Sequence, residues 1–427
     1  MTYPATFRET GETGIAAQDW TFANAPTRDL THCYHDYPAR MIPQVAGKLL
    51  DAYAPDAKLL FDPYCGSGTS LVEGMIRGVN VIGTDLNPLA RLISKAKTAT
   101  PDVDELKRCI AKLDKFTLSP SNPNVPAQIA GISRLDFWFK PQVIEKLGVL
   151  KSFIDKLPDG ATRLFFQVAF SETVREGSNT RNEEFKLYRY EARRLEHFDP
   201  DIYGIVAAKL RRNLVGLQQF ITRLRRLPQI PQAKLCAFNT AANVPPDEIT
   251  PASVDIIVTS PPYGDSHTTV AYGQYSRLSA AWLDLPSPAQ VDRTLMGGSA
   301  LKATPHFASC GLEQAIDAIR LKDEKRAREV AAFYSDLQTS ISHVSGLVKP
   351  GGYACYVVGN RKVKGVVLPT DVAILDFFEA QGFSHTDTFY RRIPNKRMPL
   401  RNSPTNATGK VEDTMMTESI VVMRREN

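Results

Sequence analysis

The chain has 427 residues, 43% of them hydrophobic and 23% charged, and a formal charge of +6. This predicts a soluble globular protein larger than one typical domain, with a large core and an elaboration, and excludes a fibrous or disordered chain. No apolar run approaches a membrane span and no leader pattern opens the chain, while six scattered cysteines without a Cys-x-x-Cys pair indicate neither a zinc site nor a disulfide framework and fit a reducing cytoplasm.

Residues 1–30 are polar and aperiodic, an irregular arm. A loop dense in aromatics and histidine follows and carries Tyr37, Pro38, Ala39 and Arg40. It feeds a helix from Pro43 to Tyr53, whose apolar positions Val45, Leu49, Leu50 and Tyr53 recur at helical spacing. Next a short apolar strand, Leu59–Phe61, runs into Asp62-Pro63-Tyr64-Cys65-Gly66-Ser67-Gly68-Thr69. A helix from about Ser70 to Arg77 and a strand from Val79 to Thr84 complete strand–glycine loop–helix–strand, the opening of a doubly wound α/β unit. Gly66 and Gly68 let backbone approach a ligand closely. Asp85 ends the second strand, where a carboxylate can accept from both hydroxyls of a ribose. The loop is neither Gly-x-Gly-x-x-Gly nor a Walker loop, so phosphate cradling is not its best reading.

From 101 to 234 helical patterns recur, over Leu106–Phe116, Pro141–Leu157, Ala161–Thr173 and Asp201–Leu227, with a Pro/Ser/Asn linker from Leu118 to Pro126. Fourteen Lys and Arg face eight Asp and Glu between 163 and 234, so this stretch holds the whole surplus of the chain. A basic surface meets phosphates, and Arg175, Asn179, Arg181, Lys186, Arg211 and Arg212 are its candidate nucleic-acid contacts. For each of them the competing reading is a solvated helical face with ordinary ion pairs.

Leu235–Thr240 reads as a further strand, with Asn239 near its end. The apolar, β-branched run from Val254 to Thr259 then reads as a buried strand ending in Ser260-Pro261-Pro262-Tyr263-Gly264. Two prolines stiffen that turn and remove two donors, which leaves carbonyls free to accept. Gly264–Arg277 is a polar and aromatic loop containing His267, and 286–310 is loop-like. Leu312–Leu347 is helical, Lys349-Pro350-Gly351-Gly352 a turn, Tyr353–Gly359 a strand and Val372–Gly382 a helix. Phe389–Ile393 and Ser419–Arg424 form an antiparallel hairpin, with Lys396 and Arg397 in a basic loop between them.

Asp-Pro-Tyr-Cys-Gly-Ser-Gly-Thr followed by Ser-Pro-Pro-Tyr resembles the motif pair of the S-adenosylmethionine-dependent DNA amino-methyltransferases of the N4-cytosine/N6-adenine family. The resemblance covers roughly 31–98 and 235–427. It implies a Rossmann-like class I methyltransferase fold with a mostly parallel sheet, a C-terminal antiparallel hairpin and a largely helical insertion. The implied organisation is an arm (1–30), a cofactor-binding half (31–100), a basic insertion for target recognition (101–234) and a Ser-Pro-Pro-Tyr half (235–427).

The same resemblance assigns S-adenosylmethionine to Tyr37, Pro38, Asp62, Pro63, Cys65, Gly66, Gly68, Thr69, Asp85 and Asn87. Arg40 stands where the family usually has Lys, and Asn239 where an acidic residue commonly contacts the adenine amine. Ser260, Pro261, Pro262 and Tyr263 become catalytic residues acting on an extruded base. Ser at the first motif position resembles the cytosine-N4 branch more than the adenine-N6 branch. Double-stranded DNA and a cognate restriction endonuclease are the implied partners, no metal is implied, and His267 is a candidate for the DNA face. An RNA guanine-N2 methyltransferase shares a similar glycine loop and Pro-Pro-Tyr, but such proteins carry an N-terminal RNA-binding module, for which thirty residues leave no room. A non-catalytic nucleic-acid-binding protein would not need the intact motif pair.

Overall fold

The computed structural model describes residues 19–118, 128–182, 185–264, 270–286, 288–299, 301, 303, 305–393, 401–402, 412–413 and 417–427. Eleven strands occur among them: β1 (Leu59–Asp62), β2 (Asn80–Thr84), β3 (Ala233–Cys236), β4 (Val254–Thr259), β5 (Val348–Val358), β6 (Lys362–Val363), β7 (Val366–Val367), β8 (Phe383–Arg392), β9 (Arg401–Asn402), β10 (Glu412–Asp413) and β11 (Thr417–Arg425). The helices are α1 (Pro43–Tyr53), α2 (Thr69–Met75), α3 (Pro88–Thr98), α4 (Val103–Leu118), α5 (Leu135–Trp138), α6 (Pro141–Asp155), α7 (Ala161–Gly177), α8 (Ala192–Glu196), α9 (Ile202–Leu224), α10 (Tyr272–Trp282), α11 (Val291–Thr294), α12 (Cys310–Arg320), α13 (Glu324–Ser345) and α14 (Thr370–Glu379).

One seven-stranded sheet organises the chain in the order β3-β2-β1-β4-β5-β11-β8. The first five strands are parallel, and β11 runs antiparallel between β5 and β8. This is the Rossmann-like class I methyltransferase fold, with the expected C-terminal antiparallel pair. The chain builds outward from β1 to β2 and β3, then returns to lay β4 on the other side of β1. The strand order therefore reverses between β1 and β4, where open α/β sheets bind their ligands. Burial on both faces explains the unbroken apolar run of β4, in which Ile256, Ile257 and Val258 are all inaccessible.

Helices α12, α13 and α14 cover one face of the sheet, and α1, α2 and the end of α9 cover the other. The insertion is not a separate lobe. Phe165, Phe166, Phe170 and Leu217 from it form one core with Leu89, Leu92 and Ile93 of α3 and with Leu278 and Trp282 of α10.

Several boundaries differ from expectation. The loop predicted through Arg277 gives way at Tyr272 to α10, because Tyr275, Leu278 and Trp282 lie on one buried helical stripe. The single helical stretch after Leu312 is two helices, broken before Asp323, whose side chain accepts from Arg326 N at 2.9 Å and caps α13. The predicted strand Leu235–Thr240 ends at Cys236, and the loop-like 286–310 contains α11.

Candidate active site

The two motifs end neighbouring parallel strands. Leu60 and Phe61 of β1 register with Ile256 and Ile257 of β4, so the glycine loop after Asp62 and the proline turn after Thr259 emerge side by side. A side-chain bond ties them together, Thr259 Oγ1 donating to Asp62 Oδ1 at 2.5 Å. Asp62 also accepts from Tyr64 N at 3.1 Å and from the Ser70 hydroxyl. Its oxygens are thus engaged by the chain itself, and its part in the site is to shape the loop. Burial pushes its carboxyl up to about 6, with the Ser70 and Thr259 hydroxyls opposing the rise.

The loop then bends through Gly66 at φ +48° and Gly68 at φ +75°, a left-handed backbone that glycine adopts without strain. Asp85, at the end of β2, receives Gly66 N at 3.0 Å on one oxygen and Asn87 N at 2.8 Å on the other. Each oxygen keeps a lone pair for a ligand hydroxyl. Burial raises the Asp85 carboxyl, and its backbone donors oppose that rise. Asn87 caps α3 by accepting from Leu89 N, and its amide donates to Tyr37 Oη at 2.9 Å and to Ser276 Oγ at 2.6 Å. The Tyr37 ring stacks on Tyr272 with centroids 5.8 Å apart.

The glycine loop and the proline turn line one cleft. Its walls bring together Tyr37, Pro38, Asp62, Cys65, Gly66, Thr69, Asp85, Ser260 and Pro262. Ser67 Oγ and Thr69 Oγ1 are buried in this wall without a protein partner, two polar groups left for a ligand to satisfy. Carboxylate, unpaired hydroxyls, glycine backbone and a tyrosine pair suit a molecule with a ribose and a charged amino-acid end. The Cys65 thiol is buried and raised well above its usual value, which keeps it protonated and unsuited to nucleophilic attack. Pro63, Gly68, Asn87, Pro261 and Tyr263 are not among the residues that line it, though Asn87 bonds to Tyr37 and Tyr263 to Ser260, which do. Asn239 is exposed, accepts from Ala241 N at 3.0 Å, and does not line the cleft. Among the described residues, no group of three or more His, Cys, Asp or Glu is placed to hold a metal ion.

Three of the predicted nucleic-acid contacts face inward instead. Arg212 donates to Tyr34 O at 2.9 Å and to Glu172 Oε2 at 2.5 Å, and Glu172 accepts Asp36 N at 3.0 Å. Arg175 is buried with its guanidinium 3.7 Å from the Tyr275 ring centroid and donates to Tyr275 O at 2.7 Å. The Tyr275 hydroxyl in turn donates to Asp36 O. Asn179 is buried and donates to Phe137 O at 3.1 Å. Arg175, Asn179 and Arg212 therefore cannot offer these groups to phosphates. Arg175 and Arg212 instead brace the loop that carries Tyr37. Arg40 joins them, donating to His32 O at 2.9 Å. Arg181 and Arg211 are exposed and Lys186 is half-buried. His267, Lys396 and Arg397 lie outside the described residues.

Sequence reasoning missed Tyr272 and Leu295 as cleft residues and Glu418 as the partner of Tyr263. The helical spacing of Tyr275, Leu278 and Trp282 was the available signal for the first. Nothing local marks Glu418.

No family model matches the chain. It is 41% identical over 423 residues to the type II methyltransferase M.MvaI of Kocuria varians, covering 94% of this chain and 93% of that one. It is 35% identical over 79 residues to the type II methyltransferase M.MjaII of Methanocaldococcus jannaschii, covering 18% and 15%. Among solved structures, the rRNA methyltransferase aviRa from Streptomyces viridochromogenes aligns over 92% of this chain and 88% of its own at 11% identity, with a TM-score of 0.33. With a full-length relative at that identity and the motif pair converging on one cleft, the chain belongs to the type II methyltransferase family and is a DNA methyltransferase.

Proposed function

We propose that the enzyme transfers the methyl group of S-adenosylmethionine to the exocyclic N4 amine of a cytosine extruded from double-stranded DNA. The observation that carries this reading is the shared cleft: Ser260 and Pro262 face the same space as Gly66, Ser67 and Asp85. The glycine-loop backbone, the Ser67 and Thr69 hydroxyls and Tyr37 would hold the cofactor, with Asp85 accepting from its ribose. Bound there, it supplies an electrophilic methyl on a sulfonium.

The acceptor amine is a poor nucleophile, because its lone pair is delocalised into the base. Ser260 Oγ and the Pro261 carbonyl accept its two N–H groups, which favours a pyramidal nitrogen and frees that lone pair. Tyr263 stacks on the base, which must leave the duplex to reach the cleft. Holding amine and methyl in line supplies much of the acceleration. The proton released after transfer passes to water. Serine at the head of the turn favours cytosine over adenine. The exposed cations of the insertion, Arg181 and Arg211 among them, with Lys186, serve the DNA backbone, and a restriction endonuclease of the same site completes the system.

Nucleoside mass spectrometry of DNA from expressing cells tests the reading. N4-methylcytosine absent from the unmodified parent is the expected result. N6-methyladenine in its place overturns the assignment of the base, and modification confined to RNA overturns the substrate.

A further inference from the structure

Tyr263 is anchored from β11, two strands away from β4 in the sheet. Its hydroxyl donates to Glu418 Oε1 at 2.6 Å, across 155 residues of sequence. Glu418 lies on β11 directly opposite Arg391 of β8, and the guanidinium of Arg391 grips its other oxygen. The pair is largely shielded, with side-chain exposures of 5% for Arg391 and 12% for Glu418. Arg391 Nε also donates to Trp20 O at 3.1 Å, which fixes the guanidinium in place. On the other side of Tyr263, Ser260 Oγ lies 3.5 Å from the tyrosine hydroxyl with the serine as donor. The proton direction along this series is set by its end. The carboxylate held by Arg391 only accepts, so Tyr263 donates to it and turns a lone pair toward Ser260. Burial, together with Glu418, raises the Tyr263 phenol well above its usual value, which keeps the proton on it.

We propose that Glu418 is a positioning residue for methyl transfer: through the Tyr263 hydroxyl it draws the Ser260 proton away from the cleft, so that Ser260 Oγ meets the target amine as an acceptor. This rests on the reading of Ser260 as the amine's acceptor. A serine hydroxyl carries one donor and two lone pairs and rotates freely. Turned the wrong way it would donate into the base and compete with acceptance. Asn or Asp at this position presents a stronger fixed acceptor, and a serine enzyme gains the equivalent from a hydrogen-bond series that ends on a charge. Such series polarise one another in a water-poor site. The Ser260–Tyr263 bond is the longest of the series, at 3.5 Å, and catalytic hydrogen bonds often tighten in the substrate complex.

The test compares Tyr263→Phe, Glu418→Gln and the double variant with the unmodified full-length enzyme, on whichever DNA amine that enzyme methylates. Tyr263→Phe keeps the ring and leaves the Glu418–Arg391 pair intact, so it decides the matter even where Glu418→Gln fails to fold. Each single variant is expected to lower kcat about 10- to 100-fold, the loss of one hydrogen bond to a charged group, with KM for DNA and for cofactor within about twofold. The double variant is expected to be no slower than the slower single one, because both break the same series. Tyr263→Phe with unchanged kcat, a loss expressed in KM alone, or losses that multiply in the double variant would overturn the proposal. Absence of methylation on any DNA amine by the unmodified enzyme would instead sink the functional reading itself, independently of the variants.

Discussion

Replacing Gly68 by alanine isolates what the glycine loop requires. A Cβ at this position would lie 2.9 Å from Ser94 Oγ, 3.1 Å from Ser94 Cβ and 3.2 Å from Ser94 Cα, on a backbone at φ +75°. The left-handed conformation costs a non-glycine residue about 1–2 kcal/mol, and pressing into a packed helix adds about 1–3 kcal/mol. The expected loss is therefore roughly 2–5 kcal/mol. Gly66→Ala is the internal comparison. Gly66 is also left-handed, at φ +48°, but its Cβ would meet only ordinary contact, the Tyr37 ring at 3.5 Å. It should lose about 1–2 kcal/mol. Both substitutions reduce the entropy of the unfolded chain alike, so that effect cancels in the difference. Urea unfolding gives the stabilities, and calorimetric titration with S-adenosylmethionine reads the loop. Because Ser94 Oγ donates to Gly66 O at 2.7 Å, displacing Ser94 also loosens the loop, and Gly68→Ala should lose more than tenfold in cofactor affinity. If Gly66→Ala proved as destabilising as Gly68→Ala, the close approach of loop and α3 would not be what requires glycine there.

Burial holds the Asp62 carboxyl at about 6, against about 3.9 in an unfolded chain. The folded state then binds the extra proton between these values, so its contribution to stability falls as pH rises from about 4 to about 6, by up to about 3 kcal/mol. Asp62→Asn removes that slope, and superimposable urea-midpoint profiles of the two proteins over this window would contradict it. Arg175→Ala should cost about 3 kcal/mol, through the lost ring contact and hydrogen bond, and leave the salt dependence of DNA binding unchanged. Arg211→Ala should change stability by no more than about 0.5 kcal/mol and reduce the salt slope by about one; the opposite pattern would place the DNA face elsewhere. Of the six free cysteines only Cys310 is exposed. Iodoacetamide on the native enzyme should therefore label one thiol and leave methyl transfer intact, since Cys310 does not line the cleft. Labelling of a second thiol, or inactivation by the first, counts against this arrangement.

What was legible in the sequence is what is local. The helix Pro43–Tyr53 agrees to the residue, because its apolar spacing and Pro43 in its first turn act within one element. The strand ending at Thr259 is visible because burial on both faces leaves an unbroken apolar run. The glycine loop and the proline turn are visible because each must shape its own backbone. Their meeting follows from the doubly wound topology, which puts strand ends at one edge. Charge pairing was not legible. Counting found the basic surplus of the insertion but could not distinguish Arg211, which is exposed, from Arg212 beside it, which turns inward to Glu172. One residue on a helix rotates a side chain by about 100°, and only the packing of α7 against α9 decides which of two adjacent arginines faces inward.

That inward turn changes where the effects of insertion substitutions should appear. Glu172 sits on α7 far from the cofactor loop in sequence, yet it accepts Asp36 N at 3.0 Å and binds Arg212, which holds Tyr34 O. His35 is tied to the same helix, its Nε2 lying 2.8 Å from Ser171 Oγ. Tyr37, which packs beside Gly66, is therefore positioned by the insertion as much as by the sheet. Glu172→Ala removes the acceptor of a backbone amide and leaves Arg212 and Lys209 without it. The cost in stability should be about 3 kcal/mol, tolerable in a protein this size at low temperature. In steady-state assays under those conditions KM for S-adenosylmethionine should rise about tenfold, the equivalent of about 1.4 kcal/mol, while KM for DNA stays within about twofold. A purely target-reading insertion predicts the reverse. If Glu172→Ala weakened DNA binding and left cofactor KM unchanged, the bracing role assigned to α7 and α9 would be wrong.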